Sequence, residues 1–125
     1  MPCSERPRDA GLRHMRLPVG AYASILHRIT GLLLIVLTGL GLGLLKSSLQ
    51  SASGFDAVRA LLVQPSARFF GALVVWVVAQ HLYGGLRHLT LDAHRGFGRE
   101  AGRRSATLVL VLAVGTALCA ALLWP

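Results

Sequence analysis

Three long runs of apolar residues alternate with shorter polar segments along the chain. The runs cover about residues 21–45, 69–91 and 105–124. An α-helix needs about 20 apolar residues to cross the hydrocarbon core of a bilayer, and each run is of about that length. The pattern predicts an all-α integral membrane protein with three transmembrane helices. At this length, residues 1–125 are expected to form a single membrane-anchor domain.

The polar segment that precedes the first run covers residues 1–20. It is basic, has no apolar stretch, and contains Pro7 and Pro18, which interrupt any long helix. We therefore predict a cytosolic tail without a cleavable signal peptide.

The two segments between the runs are predicted to be loops, at residues 46–66 and 93–104. Within the first loop, residues 54–63 have the spacing of a short amphipathic helix that lies in the membrane interface. Ser53 is the predicted N-cap of this helix, and Pro65 is predicted to end it.

Composition and charge favour a membrane over other partners. Hydrophobic residues make up 54% of the chain and charged residues only 14%, whereas soluble domains contain about 25% charged residues. The net charge of +8 would also suit nucleic acid, but the apolar runs make the lipid bilayer the predicted partner, and no nucleic acid is expected. A C-x-x-C-H motif is absent, which excludes covalent c-type haem attachment on motif grounds.

The basic residues also predict an orientation. One side of a three-span protein would hold ten of the thirteen: Arg6, Arg8, Arg13, Arg16, Arg28, Arg87, Arg95, Arg99, Arg103 and Arg104. The other side would hold Lys46, Arg59 and Arg68. Because cytoplasmic loops carry the excess of Lys and Arg, the N-terminus is predicted to be cytoplasmic and the C-terminus periplasmic.

Polar side chains gather where the first run begins. Ser24, His27 and Arg28 have i, i+3, i+4 spacing, which places a hydroxyl, an imidazole and a guanidinium on one face of a helix. One interpretation is an interfacial anchor in which Arg28 extends to the lipid headgroups. The other is a binding site at the membrane boundary.

The second run carries a histidine inside the hydrocarbon. His81, Gly84, Gly85 and His88, here called the glycine strip, lie on one helix face. A planar macrocycle could lie against this strip, with His81 reaching a metal. Arg87 lies six residues farther, or roughly 9 Å along the helix, so His81 is below the membrane surface. A buried histidine bonded to a neighbouring helix and a proton relay are the alternatives.

A three-span topology brings these two polar groups into the same leaflet, since the second helix returns towards the side where the first began. A metal-binding histidine beside Ser and Arg suggests electron transfer to a membrane-soluble carrier. Arg neutralises carboxylates such as haem propionates, and a Ser hydroxyl with an Arg can hold a quinone carbonyl during its reduction.

Two sequence motifs resemble those of a known family. Residues 24–31 (SILHRITG) are similar to S-x-L-H-R-x-[ST]-G, and residues 81–92 (HLYGGLRHLTLD) to H-x-x-x-G-[ILV]-R-H-[LM]-x-x-D. Both motifs characterise the cytochrome b556 subunits of succinate dehydrogenase, the larger membrane anchors of respiratory complex II. The resemblance extends over nearly the whole chain, including the three-span layout.

The resemblance implies a role for each matching residue. His81 would be an axial ligand of haem b and thus a metal ligand. Ser24, Ile25 and Arg28 would line the site where ubiquinone is reduced. His27 and Arg28 would lie by the haem propionates, with His88 nearby. Asp92 matches the motif without an assigned role.

The remaining parts of such an enzyme must come from other chains. The third run has no histidine, and His27 and His88 are expected nearer the surface than His81, so a second small anchor subunit is expected to supply the other haem ligand and complete the helical bundle. This chain has no flavin-binding glycine pattern and no cysteine cluster. Succinate oxidation would therefore occur on a flavoprotein subunit and an iron–sulfur subunit, at a bacterial inner membrane.

An anchor of a fumarate reductase and a cofactor-free membrane scaffold are the alternative functions.

Overall fold

A computed structural model describes residues 17–93 and 98–124 of the chain. These residues form four α-helices, and no strand occurs among them. The helices are α1 (Val19–Gln50), α2 (Ala52–Leu62), α3 (Pro65–Asp92) and α4 (Arg99–Leu123). In α1, α3 and α4, the most apolar 18-residue stretches have mean hydropathies of 2.0, 1.5 and 2.5. The predicted all-α fold with three membrane-spanning helices is confirmed, and the chain is a multi-pass membrane protein.

The long helices extend beyond the apolar runs that predict them. α1 continues past Leu45 to Gln50, and α4 begins at Arg99 rather than at residue 105. The apolar run marks where a helix leaves the hydrocarbon, whereas a helix ends where its backbone bonding is interrupted. Polar helix ends have their own local bonds, such as Ser48 Oγ to the Leu45 carbonyl at 2.8 Å. Residues 1–16 of the predicted tail and 94–97 of the second loop lie outside the described residues.

The short helix α2 is present, but its predicted N-cap is wrong. Ser51 caps α2, because its hydroxyl accepts a hydrogen bond from the Gly54 backbone N–H at 3.0 Å. Ser53 lies inside the helix, and its hydroxyl bonds to that of Ser51 at 3.0 Å. Several serines precede α2, so the sequence alone does not choose among them. Pro65 is the first residue of α3, a position where its missing N–H costs nothing.

Small residues bring the three long helices together. The buried residues are Ala23 and Thr30 in α1, Val77, Ala79, Gln80 and Gly84 in α3, and Ala106, Val109 and Ala113 in α4. Small side chains allow close backbone approach, which is how membrane helices associate. Only 6% of the most apolar stretch of α1 is buried within the chain. α1 therefore presents most of its apolar surface outward, as a helix in contact with lipid or another membrane helix does.

Hydrogen bonds from polar side chains also link the helices, at two places along their length. The Tyr83 hydroxyl of α3 and the Thr116 hydroxyl of α4 are 3.1 Å apart. Where α3 begins, Arg68 Nε donates to the Ala121 carbonyl at 2.5 Å, and Trp124 Nε1 donates to the Leu62 carbonyl at 3.3 Å. These bonds fix the end of α4 against α2 and α3.

The bond between Tyr83 and Thr116 is expected to contribute little to stability. Hydrogen bonds between membrane helices contribute about 0.6 kcal/mol on average, so Tyr83→Phe should lower the free energy of unfolding by less than about 1 kcal/mol. Denaturant unfolding in detergent measures this change. Tyr22→Phe is the control, because Tyr22 is exposed. A loss of several kcal/mol for Tyr83→Phe alone would show that this bond holds α3 on α4.

Candidate functional site

Two histidines meet where α1 and α3 pack together. The rings of His27 and His81 are stacked, with centroids 4.2 Å apart and planes inclined by 15°. His27 Nδ1 lies 3.0 Å from the His81 carbonyl oxygen, and His81 Nδ1 lies 3.1 Å from the His27 carbonyl oxygen. Each imidazole is thus bonded to the backbone carbonyl of the other histidine. The prediction that the two polar groups lie close together is confirmed for His27 and His81.

These contacts fix the proton on each ring. A carbonyl oxygen can only accept a hydrogen bond, so Nδ1 must be the donor in both histidines. In the neutral imidazole, Nε2 then carries the lone pair. Histidines that bind metals have this arrangement, in which one ring nitrogen donates to a carbonyl and the other is the ligand. The Nε2 lone pair lies in the plane of the imidazole, so a ring stacked on the face of His81 does not block it.

Glycines allow the rings to approach the opposite helix. A Cβ atom at Gly31 of α1 would lie 3.0 Å from His81 Cε1, and one at Gly84 of α3 would lie 3.0 Å from His27 Nδ1. The expectation that the glycine strip offers a bare surface for a macrocycle is wrong, because the His27 ring already covers it. We call His27, Gly31, His81 and Gly84 the histidine crossing.

The His27 and His81 rings lie at similar depths, and the expectation that His27 is nearer the surface than His81 stays a prediction. Their ring centroids are 4.2 Å apart, so the two rings differ in depth by no more than that distance. The sequence positions of the two Cα atoms did not reveal this, because the side chains extend towards each other. Two imidazoles stacked face to face cannot bind opposite sides of one metal ion.

His88 and Arg87 follow the histidine crossing on α3. The His88 ring is half-buried, and its centroid lies 5.1 Å from that of His27. Arg87 is directed to α4 instead, where Nε donates to Ser105 Oγ at 3.2 Å and Nη2 to the Gly102 carbonyl at 3.4 Å. His88 thus lies beside the two histidines of the crossing, whereas Arg87 links α3 to α4.

The three polar residues at the start of α1 differ in their contacts within the chain. His27 turns towards α3, while Arg28, the next residue, is exposed and Ser24 is half-buried. Ile25 is exposed as well. Within residues 17–93 and 98–124, neither the Ser24 hydroxyl nor the Arg28 guanidinium has a hydrogen-bond partner. Both groups are therefore available to a ligand outside this chain.

Two buried polar residues near the crossing were not singled out from the sequence. Thr30 is fully buried, and its hydroxyl donates to the Leu26 and His27 carbonyls at 2.8 and 3.0 Å. Gln80 is fully buried too, and its amide has no partner in the described part of the chain. Burial of an amide without a partner is costly. A glutamine directly before a histidine inside an apolar run was the signal available in the sequence.

The described residues contain no group of three or more His, Cys, Asp or Glu that could hold a metal ion. Axial ligation of haem by this chain needs one imidazole only, because the porphyrin supplies the other four nitrogens. The His81 ring, with its Nδ1 proton donated to a carbonyl and its Nε2 lone pair free of such a bond, fits that requirement.

Residues 3–121 match the sequence model of a family described as succinate dehydrogenase/fumarate reductase transmembrane subunit. The chain belongs to this family. The match covers α1, α3, the histidine crossing and all but the last two residues of α4. Family membership thus agrees with the resemblance of the two motifs and with the confirmed three-span fold.

Two relatives that bear the name succinate dehydrogenase cytochrome b556 subunit are similar to this member of the family. The protein from Coxiella burnetii is 32% identical over 113 residues, which cover 87% of this chain and 88% of the relative. The protein from Paracoccus denitrificans is 32% identical over 119 residues, covering 89% and 88%. The similarity therefore extends over nearly the full length of each chain.

Replacing Arg87 with leucine is expected to destabilise the packing of α3 against α4. Hydrogen bonds to charged groups contribute about 1.5–3 kcal/mol, and Arg87 donates two of them to α4. Arg104→Leu is the matched control, because its ion pair with Glu100 is 77% and 68% exposed and such pairs contribute about 0.3–0.5 kcal/mol. Thermal unfolding in detergent compares the two. Equal stability of both variants would contradict a structural role for Arg87.

Proposed function

We propose that this chain is a membrane-anchor subunit of succinate:quinone oxidoreductase, complex II, that binds haem b and contributes to the site of ubiquinone reduction. The observation that carries the proposal is the orientation of His81, whose Nδ1 is bonded to the His27 carbonyl at 3.1 Å. Nε2 is then the nitrogen available to iron, in a family whose relatives are named cytochrome b556.

His81 would hold the haem as one axial ligand. His27, Arg28 and His88 would lie near the propionates, where the guanidinium of Arg28 neutralises carboxylate charge. When bound, haem b accepts and donates single electrons within the membrane. Because the His27 ring is stacked on the His81 ring, with centroids 4.2 Å apart, His27 could not serve as the second protein ligand of the same haem. A second anchor subunit would supply that ligand.

Ser24, Ile25 and Arg28 would form this chain's part of the quinone site. Conversion of the quinone to the quinol takes up two electrons and two protons. The Ser24 hydroxyl and the Arg28 guanidinium would donate hydrogen bonds to a quinone carbonyl and stabilise the negative charge that develops there. Ile25, 43% exposed, would contact the apolar part of the ring. Preorganised donors of this kind accelerate reactions most when water is excluded.

The reaction needs other subunits. Electrons would arrive from an iron–sulfur subunit, which receives them from a flavoprotein subunit that oxidises succinate. In a bacterial inner membrane, the N-terminus would be cytoplasmic and the C-terminus periplasmic. Protons for the quinone would come from the cytoplasmic side. The family includes fumarate reductase subunits, but both relatives described above are named for succinate dehydrogenase, which favours succinate oxidation.

The spectrum of the native complex tests this function. The complex, purified through a tag on this chain, should show a Soret band and a b-type α-band on reduction. A second small membrane subunit with an intramembrane histidine should co-purify. A colourless preparation in which the chain is correctly folded would contradict haem binding and favour a cofactor-free scaffold.

A further inference from the structure

The two helices of the histidine crossing share the same local spacing. In α1, His27 is followed four residues later by Gly31, and in α3, His81 is followed four residues later by Gly85, next to Gly84. The His81 ring lies against Gly31, and the His27 ring lies against Gly84 and Gly85. The crossing is thus approximately symmetric. Each ring packs against the other helix and donates a hydrogen bond to it.

We propose that Gly31 is a positioning residue for His81: by leaving space beside the ring, it allows His81 Nδ1 to reach the His27 carbonyl and directs Nε2 to the haem iron. This inference rests on the proposed function, since it concerns His81 as the haem ligand. It assigns a role to Gly31, which lies four positions after His27.

The distances support this role. A Cβ at position 31 would lie 3.0 Å from His81 Cε1 and 3.4 Å from Nδ1, and atoms attract at about 3.5–4.0 Å. The ring would have to move away from α1. Because its acceptor, the His27 carbonyl, is part of α1, the same movement would lengthen the hydrogen bond that now measures 3.1 Å.

A second side chain shares this acceptor. The Thr30 hydroxyl also donates to the His27 carbonyl, at 3.0 Å, besides its 2.8 Å bond to the Leu26 carbonyl. Thr30 therefore competes with His81 for one oxygen. Removal of the Thr30 hydroxyl should strengthen the bond to His81, which is the opposite of what a methyl group at position 31 does.

The two changes predict opposite shifts of the haem midpoint potential. Donation of Nδ1–H to a carbonyl makes the imidazole a more basic ligand, and a more basic ligand favours ferric iron. Gly31→Ala weakens this donation and should raise the midpoint potential. Thr30→Val strengthens it and should lower the potential. A merely structural role for either residue predicts no such pair of opposite shifts.

The experiment compares variants of the purified complex by redox titration and by the ratio of haem to flavin. Gly39→Ala is the control for Gly31→Ala, because nothing lies within 4 Å of a Cβ at Gly39 in the same helix. Thr38→Val is the control for Thr30→Val, because Thr38 is exposed. Gly31→Ala should raise the potential and lower the ratio of haem to flavin. Both controls should match the wild type.

Unchanged potential and haem content in Gly31→Ala would overturn the proposal. If Gly31→Ala does not assemble, Thr30→Val decides: a lowered potential supports the proposal, and an unchanged or raised potential overturns it. Failure of the proposed function looks different, because the wild-type complex would then be colourless or His81→Ala would keep its haem, whatever the result at position 31.

Discussion

His81→Ala is expected to abolish the b-type α-band of the assembled complex. The variant removes the Nε2 donor and also the hydrogen bond of 3.1 Å to the His27 carbonyl. Loss of an outer-shell partner alone weakens metal binding roughly 10–100-fold, and loss of the ligand itself should exceed that range. Reduced-minus-oxidised spectra, normalised to flavin, measure the result.

Two variants separate ligation from packing at this position. Leu82→Ala changes the next residue, which is 55% exposed, and should leave the α-band intact. His88→Ala removes an imidazole that lies 5.1 Å from His27, and it should shift the band without abolishing it. A well-assembled His81→Ala complex with a normal α-band would show that His81 serves in helix packing instead.

Ser24→Ala and Arg28→Leu are expected to depress quinone reductase activity while sparing succinate oxidation by artificial acceptors. Loss of one preorganised donor to a developing negative charge typically lowers the rate about 100- to 1000-fold. Neither side chain has a hydrogen-bond partner in the described part of the chain, so the structure should tolerate both changes. Parallel assays of the purified complex with ubiquinone and with a water-soluble dye compare the two activities.

Controls for this prediction come from the same chain. Arg103→Leu removes an exposed arginine from α4 and should leave quinone reduction unchanged. Ser24→Ala is the more specific of the two test variants. Arg28 is also proposed to lie near the haem propionates, so Arg28→Leu should shift the haem spectrum as well. An equal fall of both activities in Ser24→Ala would contradict a role in quinone binding.

The number and type of the membrane helices could be predicted from the sequence, because apolar length alone decides whether a helix can span a bilayer. The helix ends could not, since α1 and α4 continue into polar residues where no apolar pattern marks them. The choice of Ser51 over Ser53 as N-cap depends on backbone geometry at residue 51, where φ is −162° and ψ is 160°. A cluster of serines does not reveal such geometry.

The residues of the candidate site could be named from the two motifs, but their contacts could not. Periodicity placed Ser24, His27 and Arg28 on one face, yet adjacent residues on a helix are about 100° apart. That angle is enough for His27 to meet α3 while Arg28 stays exposed. The stacking of His27 on His81, and the role of Gly31 beside them, depend on the distance between two helices, which a single sequence does not contain.

The most direct test of the haem assignment is a density map of the assembled complex. We predict haem iron bound by His81 Nε2, His81 Nδ1 bonded to the His27 carbonyl, and an imidazole from a second anchor subunit on the other side of the iron. A map that shows the His81 ring between helices, away from any porphyrin, would contradict this prediction.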